Sequence, residues 1–407
     1  MTVFCGGGVE RPPPQEASPS AVINTSPTWP DRFMGVCFYD NPVKDMLITL
    51  LAATLALDPV VLIGTYTNTK APSEGIYAYR LDSKTGAMQP LGLAAKVASP
   101  SFVALHPNGK FAYAVTEEGP AGSVTAFAID AGKAKLTELN RVPSKGKDPC
   151  HLNVDRSGKF LIVVNYSSGS TTRIPIGPDG RLGENSISIQ HAKPAGGPGT
   201  DTKRQEGPHA HSVNYTPDGK FAMVADLGRD EMIAYKLDGG GLDAGPVTHI
   251  AAGSGPRHLA FHPSGNVAYS INELRSTVTV FDYAGGGVLK EKQTVSALPA
   301  DFKGVSYTAE VQVHPSGKFL YGSNRGHNSI AIFSIAADGK LTFVGTESTR
   351  GKWPRNFGID PTGQWLIAAN QNSNDIAVFK IDVKTGKLTP VGDMISVSAP
   401  VCVKFLK

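Results

Sequence analysis

The sequence predicts an all-β chain closed into a seven-bladed β-propeller with four antiparallel strands per blade. Three observations predict it: a turn phrase written six times, strand-like segments at fixed places around each copy, and a C-terminal segment patterned as an inner strand with no blade behind it. The phrase reads HPNGKFAY at 106–113, DRSGKFLI at 155–162, TPDGKFAM at 216–223, HPSGNVAY at 262–269, HPSGKFLY at 314–321 and DPTGQWLI at 360–367. Its glycines, Gly109, Gly158, Gly219, Gly265, Gly317 and Gly363, stand 49, 61, 46, 52 and 46 residues apart. Strand-built repeats of this period are propeller blades.

Each unit has the same internal logic. In the fourth copy RHLAFHP runs up to Pro263-Ser264-Gly265 and NVAYSINE runs away from it, two alternating segments about a Pro/Gly turn, which is a hairpin. TVTVFDY at 277–283 supplies a third strand, and a glycine-rich turn at Gly285–Gly287 leads to a fourth ending near Val295. Ahead of the first copy, VLIGTYT, GIYAYRL and TGAMQPLGL match second, third and fourth strands, with no inner strand before them. PVCVKFLK at 400–407 supplies it, so the C-terminal strand is expected to pair with the N-terminal strands and close the ring. Closure removes the open sheet edges that invite aggregation.

Composition sets the bounds. With 41% hydrophobic residues, 45 Gly and 30 Pro in 407 residues, one large all-β domain over 58–407 accounts for the chain. Residues 1–57 are Pro- and Ser-rich without periodicity and are expected to be a disordered extension. Within it the apolar segment 46–57 has the length of a signal-peptide core, too short and poorly flanked for a stable membrane span. The reading is periplasmic if that segment acts as an export signal and cytoplasmic otherwise. The propeller region carries 36 Lys/Arg against 30 Asp/Glu with no basic tract, which favours a small anionic ligand over nucleic acid. The cysteines, Cys5, Cys37, Cys150 and Cys402, have neither zinc-site nor disulfide-framework spacing.

Strand direction then locates the chemistry. Inner-strand starts and second-strand ends share the face opposite the turn phrase, near the axis. The starts include Cys150-His151, His209-Ala210-His211, Arg257-His258, Ala309-Glu310 and Arg355-Asn356, and the ends include Glu117-Glu118, Asn165-Tyr166, Asn272-Glu273 and Asn324-Arg325. These differ from blade to blade, whereas His106, His262 and His314 recur in the turns and are read as structural. Three arginines with few carboxylates at this mouth form an anion clamp.

PHAHS at 208–212, GPRHLAFHPSG at 255–265, INELRSTVTVFDY at 271–283, TAEVQVHPSGKFLYGSNRGHNSIAIF at 308–333, PRNFGIDPTG at 354–363 and ANQNSNDIAVFKID at 369–382 together resemble the seven-bladed propeller lactonase family, of the 6-phosphogluconolactonase and carboxymuconate cyclase type. The resemblance covers 60–407. It implies His209, Arg257, Glu273 and Arg325 as catalytic residues, and His151, His211, Glu310 and Arg355 as substrate-binding residues, His151 at the rim. It implies hydrolysis of a sugar lactone, 6-phosphogluconolactone or a related aldonolactone, without metal or other cofactor. Glu273 and His209 would share the acid and base roles, in an order left open. A muconate-type lactonising cyclase and a non-catalytic binding scaffold stay as alternatives, and an exported enzyme would meet a sugar lactone other than the cytosolic phosphorylated one. Trp353 beside the mouth is expected to bear on substrate choice, and the Gly/Pro-rich stretch 191–208, carrying Lys203 and Arg204, is a candidate lid.

Overall fold

Gly317 has φ +72°, a left-handed conformation that costs any residue with a Cβ, and a Cβ there would also sit 2.7 Å from His262 Nε2. His262 belongs to the preceding blade. Its Nε2–H donates to Gly317 O at 2.9 Å, while its Nδ1 accepts from the Ser264 backbone N–H at 3.1 Å, which fixes the tautomer. His106 reaches Gly158 O at 3.0 Å and His314 reaches Gly363 O at 2.8 Å in the same way. The repeated phrase is thus a latch between neighbouring blades. Where Asp155 or Asp360 replaces the histidine, its carboxylate caps its own turn, accepting from Ser157 N at 2.8 Å and Thr362 N at 3.0 Å.

The computed structural model describes residues 58–70, 72–119, 122–193 and 199–406; the extension and apolar segment expected within 1–57 lie outside them. Seven four-stranded antiparallel sheets form the blades. The first is built of Val60–Thr65, Gly75–Leu81 and Met88–Lys96 with Pro400–Phe405 inside them, Cys402 facing Gly64. Closure by the C-terminal strand is therefore as the sequence predicts. The fifth blade runs Pro256–Phe261, Val267–Asn272, Thr277–Tyr283 and Leu289–Ser296 from axis to rim. All six residues of its second strand are buried, whereas its outermost strand is mostly open to solvent, so the core lies between blades rather than within one. Among the described residues no helix is long and apolar enough to cross a membrane.

One irregularity positions the site. Pairing of inner to second strand skips Cys150 in the third blade, His211 in the fourth, Arg257 in the fifth, Ala309 and Glu310 in the sixth, and Arg355 in the seventh. In the third, fourth, fifth and seventh blades the skipped residue is the extra member of a β-bulge, and in the sixth Ala309 and Glu310 stand against Ser323 alone; a bulge re-aims the side chain it leaves unpaired. Four of the eight residues singled out from the sequence (His211, Arg257, Glu310 and Arg355) occupy such positions.

Candidate active site at the propeller mouth

The rim of the mouth is a ring of equivalent positions. Just past the second strand, the backbone N–H of Tyr66, Glu117, Tyr166, Leu227, Glu273 and Gln371 donates to the carbonyl of Ala399, Ser99, Asp148, His209, Gly255 and Trp353 respectively, each of them ahead of an inner strand. Arg325 ends the second strand of the sixth blade, Phe319–Arg325, and takes the corresponding place there. One backbone device thus carries two carboxylates, two phenols and an arginine to a common height.

Glu273 is the centre of a charge cluster. Arg325 Nη2 lies 2.6 Å from its Oε2, Arg257 Nε 3.1 Å from the same oxygen, and Arg204 Nη2 2.5 Å from Oε1. Burial alone would raise the carboxyl, whose side chain is 2% exposed, but the charges of Arg325, Arg257 and Arg204 override it and hold the group down at about 2. Glu273 is therefore a permanent carboxylate, unsuited to giving up a proton. Arg257 is also tied by Nη1 to Ala309 O at 2.9 Å, and Arg325 by Nη2 to Thr308 O at 3.0 Å. Neither buried Nε–H has an aligned acceptor, for Arg257 Nε is close to Glu273 but badly angled. Burial, with the charges of Arg325 and Arg355, pushes Arg257 below the ordinary arginine range, although it stays cationic at neutral pH.

His209 stands on the preceding blade, ahead of the inner strand Ala210–Tyr215. Its backbone N–H is held by Asp226 Oδ1 at 2.8 Å, and the other Asp226 oxygen is 2.6 Å from His191 Nδ1. The imidazole stacks on the Tyr166 ring at 4.5 Å, with Nδ1 3.0 Å from Tyr166 O and Nε2 3.0 Å from Glu206 Oε1. Both ring nitrogens face acceptors, so the doubly protonated ring satisfies both contacts and the neutral ring only one. Glu206 is 56% exposed and is the movable partner.

The other candidates lie apart from this cluster. Arg355 stands over the Tyr66 ring at 5.4 Å and 3.9 Å from Glu117 Oε1. His151 was expected at the rim, but it is 5% exposed and one layer down, its ring 4.0 Å from Phe102 and 5.2 Å from His258. Glu310 lies 3.2 Å from His258 Nδ1 and accepts from Asn356 Nδ2. His211 is 3.9 Å from Cys150 Sγ. Burial above all keeps His151, His211 and His258 well below the ordinary imidazole range, hence neutral, and lifts Glu310. This belt fills the axis beneath the mouth. Below it a funnel of about 700 Å³, lined by His151, His258, Glu310, Gln312 and Lys404, opens toward the turns. The turn side is thus less featureless than its repeated phrase implies.

Sequence reasoning placed Tyr166 and Glu117 at the mouth without giving them a role, left out Glu206, and gave Arg204 only a place in a lid. Arg204 reaches both Glu273 and Tyr166 Oη, the latter at 3.1 Å. Its loop is pinned by Gln205, fully buried and donating to Leu227 O at 2.9 Å. The signal was present, since the longest interval between repeats holds this loop. Among the described residues no three His, Cys, Asp or Glu side chains gather as a metal cage.

Comparison with known proteins gives the family. The family model for lactonases of the seven-bladed β-propeller type matches residues 60–405. A 6-phosphogluconolactonase of Bacillus subtilis is 40% identical, over 84% of this chain and 97% of the relative, and one of Formosa agariphila is 36% identical, over 81% and 94%. The solved structure of a periplasmic gluconolactonase of Pseudomonas aeruginosa superposes with a TM-score of 0.80 at 30% identity, over 86% of this chain and 99% of the other. By its blades, its mouth and these relatives, the chain belongs to the seven-bladed β-propeller lactonases, enzymes that hydrolyse lactones.

Proposed function

We propose that the protein opens a sugar lactone to its aldonate without a metal ion, the substrate being 6-phosphogluconolactone or a closely related aldonolactone. The observation that carries this reading is the pair of buried Nε–H groups of Arg257 and Arg325, fixed around Glu273 yet lacking acceptors of their own. Donors held in place before the reaction are what a developing oxyanion needs, each worth roughly 3 kcal/mol in such sites. Glu273 then serves to orient the arginines. His209 becomes the base for the attacking water once the exposed Glu206 gives way to substrate, a contribution of about a hundred- to ten-thousand-fold. The cationic surplus of Arg204, Arg257, Arg325 and Arg355 suits an anionic sugar lactone.

The test is turnover by the purified full chain of 6-phosphoglucono-δ-lactone, glucono-δ-lactone and a muconolactone, with and without chelator, followed by acid release. Hydrolysis of a sugar lactone that survives chelation is the expected result. Loss on chelation would remove the metal-free mechanism, and no turnover of any lactone would remove the hydrolase reading.

A further inference from the structure

The axis has a second opening, on the side of the turns. The funnel there, of about 700 Å³, is of ordinary size for a small-molecule site, and His151, His258 and Glu310 of the belt lie at its floor. Lys404 enters it from the closing strand, paired with Leu62, the third residue of its neighbouring strand. The same register place in the other six blades holds Ala104, Asn153, Asn214, Ala260, Gln312 and Gly358, none of them charged. Repetition of the strand pattern therefore does not account for an ammonium on the axis. Lys404 is half-buried, its Nζ 4.3 Å from the centroid of the Phe102 ring, and it has no hydrogen bond or ion pair to a described residue. An aromatic face attracts the charge without supplying an oxygen acceptor.

A second donor stands against the same ring. His151 is 5% exposed, lines the funnel and lies 4.0 Å from Phe102, centroid to centroid. Its Nδ1 accepts from the Val213 backbone N–H at 3.4 Å, so the proton of the neutral imidazole is on Nε2, and that N–H has no acceptor among the described residues. The carboxylate of the floor is already engaged. Glu310 Oε1 accepts from His258 Nδ1 at 3.2 Å and from the Val311 N–H at 3.1 Å, and Oε2 accepts from Asn356 Nδ2. Lys404 acts on Glu310 through space without reaching it. A buried N–H and an ammonium held open side by side are the donors a carboxylate needs, since hydrogen bonds to a charged group are about twice as strong as neutral ones.

We propose that the funnel is a second ligand site, for a small monocarboxylate with an apolar body, whose carboxylate lies between Lys404 and the Nε2–H of His151. The body would rest on Leu105, Val154, Phe261 and Val313, which wall the funnel above that floor. One ammonium beside the Glu310 carboxylate suits a single negative charge. A phosphate dianion would want a guanidinium as well, and Arg156, the arginine of the funnel, is exposed and donates to Pro217 O. The site stands apart from the mouth and does not depend on the reaction assigned there.

The experiment is titration calorimetry of the full chain with 4-phenylbutanoate, its neutral isostere 4-phenylbutanamide, and gluconate, a carboxylate without an apolar body. The phenylbutanoate is expected to bind one per chain with a Kd below about 1 mM. The amide and gluconate should each bind about tenfold more weakly or worse. Lys404→Met should weaken the phenylbutanoate about tenfold or more, and His151→Phe about fivefold or more. Thermal unfolding reports whether each variant is folded, and should Lys404→Met not fold, Lys404→Gln takes its place. The comparison of acid with amide uses wild type and decides in any case. No binding of the phenylbutanoate, equal binding of acid and amide, or gluconate binding as tightly would overturn the proposal. So would an affinity untouched by folded Lys404 variants, or one lost in Arg204→Ala, which would place the ligand at the mouth.

Discussion

Arg204 meets Glu273 across 69 residues of chain, its Nη2 2.5 Å from the carboxylate, and it does so from the one interval between repeats that exceeds all the others. The third guanidinium is therefore an addition to the ring, hung on a loop whose anchor is Gln205. Unlike Arg257 and Arg325, Arg204 is a third exposed. Its replacement by alanine is expected to change stability by no more than about 1 kcal/mol, because an exposed partner is screened by water and salt. Activity should respond more: a rise in KM with a smaller change in kcat marks a lid residue that helps hold substrate. Steady-state kinetics at two ionic strengths, beside urea unfolding, separates the two effects.

The depressed Glu273 carboxyl has a signature in stability against pH. Its folded value of about 2 lies below the ordinary glutamate value of 4.5, so the stabilisation is present above pH 4.5 and is lost as pH falls toward 2. A displacement of this size corresponds to a contribution of order 3 kcal/mol. Glu273→Gln should accordingly be less stable than wild type at pH 6, with the gap closing between pH 4.5 and 2. Denaturant midpoints across that range check it. The buried neutral imidazoles of the axial belt destabilise both proteins alike as pH falls below their unfolded value, so the difference between the two isolates Glu273.

Trp353 has φ +67°, at a place where other blades put Ser99, Asp148, Gly255 and Ala399, and its ring stands 5.5 Å over the Arg325 guanidinium. A bulky residue in that conformation and ahead of a proline is strained by about 1–2 kcal/mol. Trp353→Gly relieves this and gives up a half-buried ring of similar worth, so stability should move by less than about 1 kcal/mol. Sugar-lactone kcat/KM should fall roughly three- to tenfold, from loss of the cation–π contact that holds Arg325. Thermal unfolding and kinetics on one preparation check both.

Much of the frame can be read from residues alone because the latch needs a histidine and a glycine at fixed offsets, and both recur where the strand alternation places a turn. The closing strand is legible in a similar way: PVCVKFLK alternates as an inner strand, and the first blade lacks one of its own. Strand direction also brings Arg257, Glu273 and Arg325 to one end of the ring, where they meet. Alternation does not show bulges, since an extra residue such as Arg257 leaves the apolar pattern on either side intact. Depth is lost with it, which is why His151 and Glu310 are read at the mouth and stand a layer lower. The place of Glu273 is visible in the repeat register, but its charge depends on Arg257 of its own blade, Arg325 of the adjoining one and Arg204 of a loop, which the register does not bring together.

Pro400–Phe405 is the innermost strand of the first blade yet follows the other six blades along the chain, so the ring cannot close until all six have been made. Val60–Thr65 waits, unpaired on its axial edge, through the synthesis of six further blades. Val401 arrives after all of them, beside Arg355 and Asn356 at the floor of the mouth. Assembly of the site is thereby tied to the making of this one strand, and a product cut short before it has an open ring and no finished mouth.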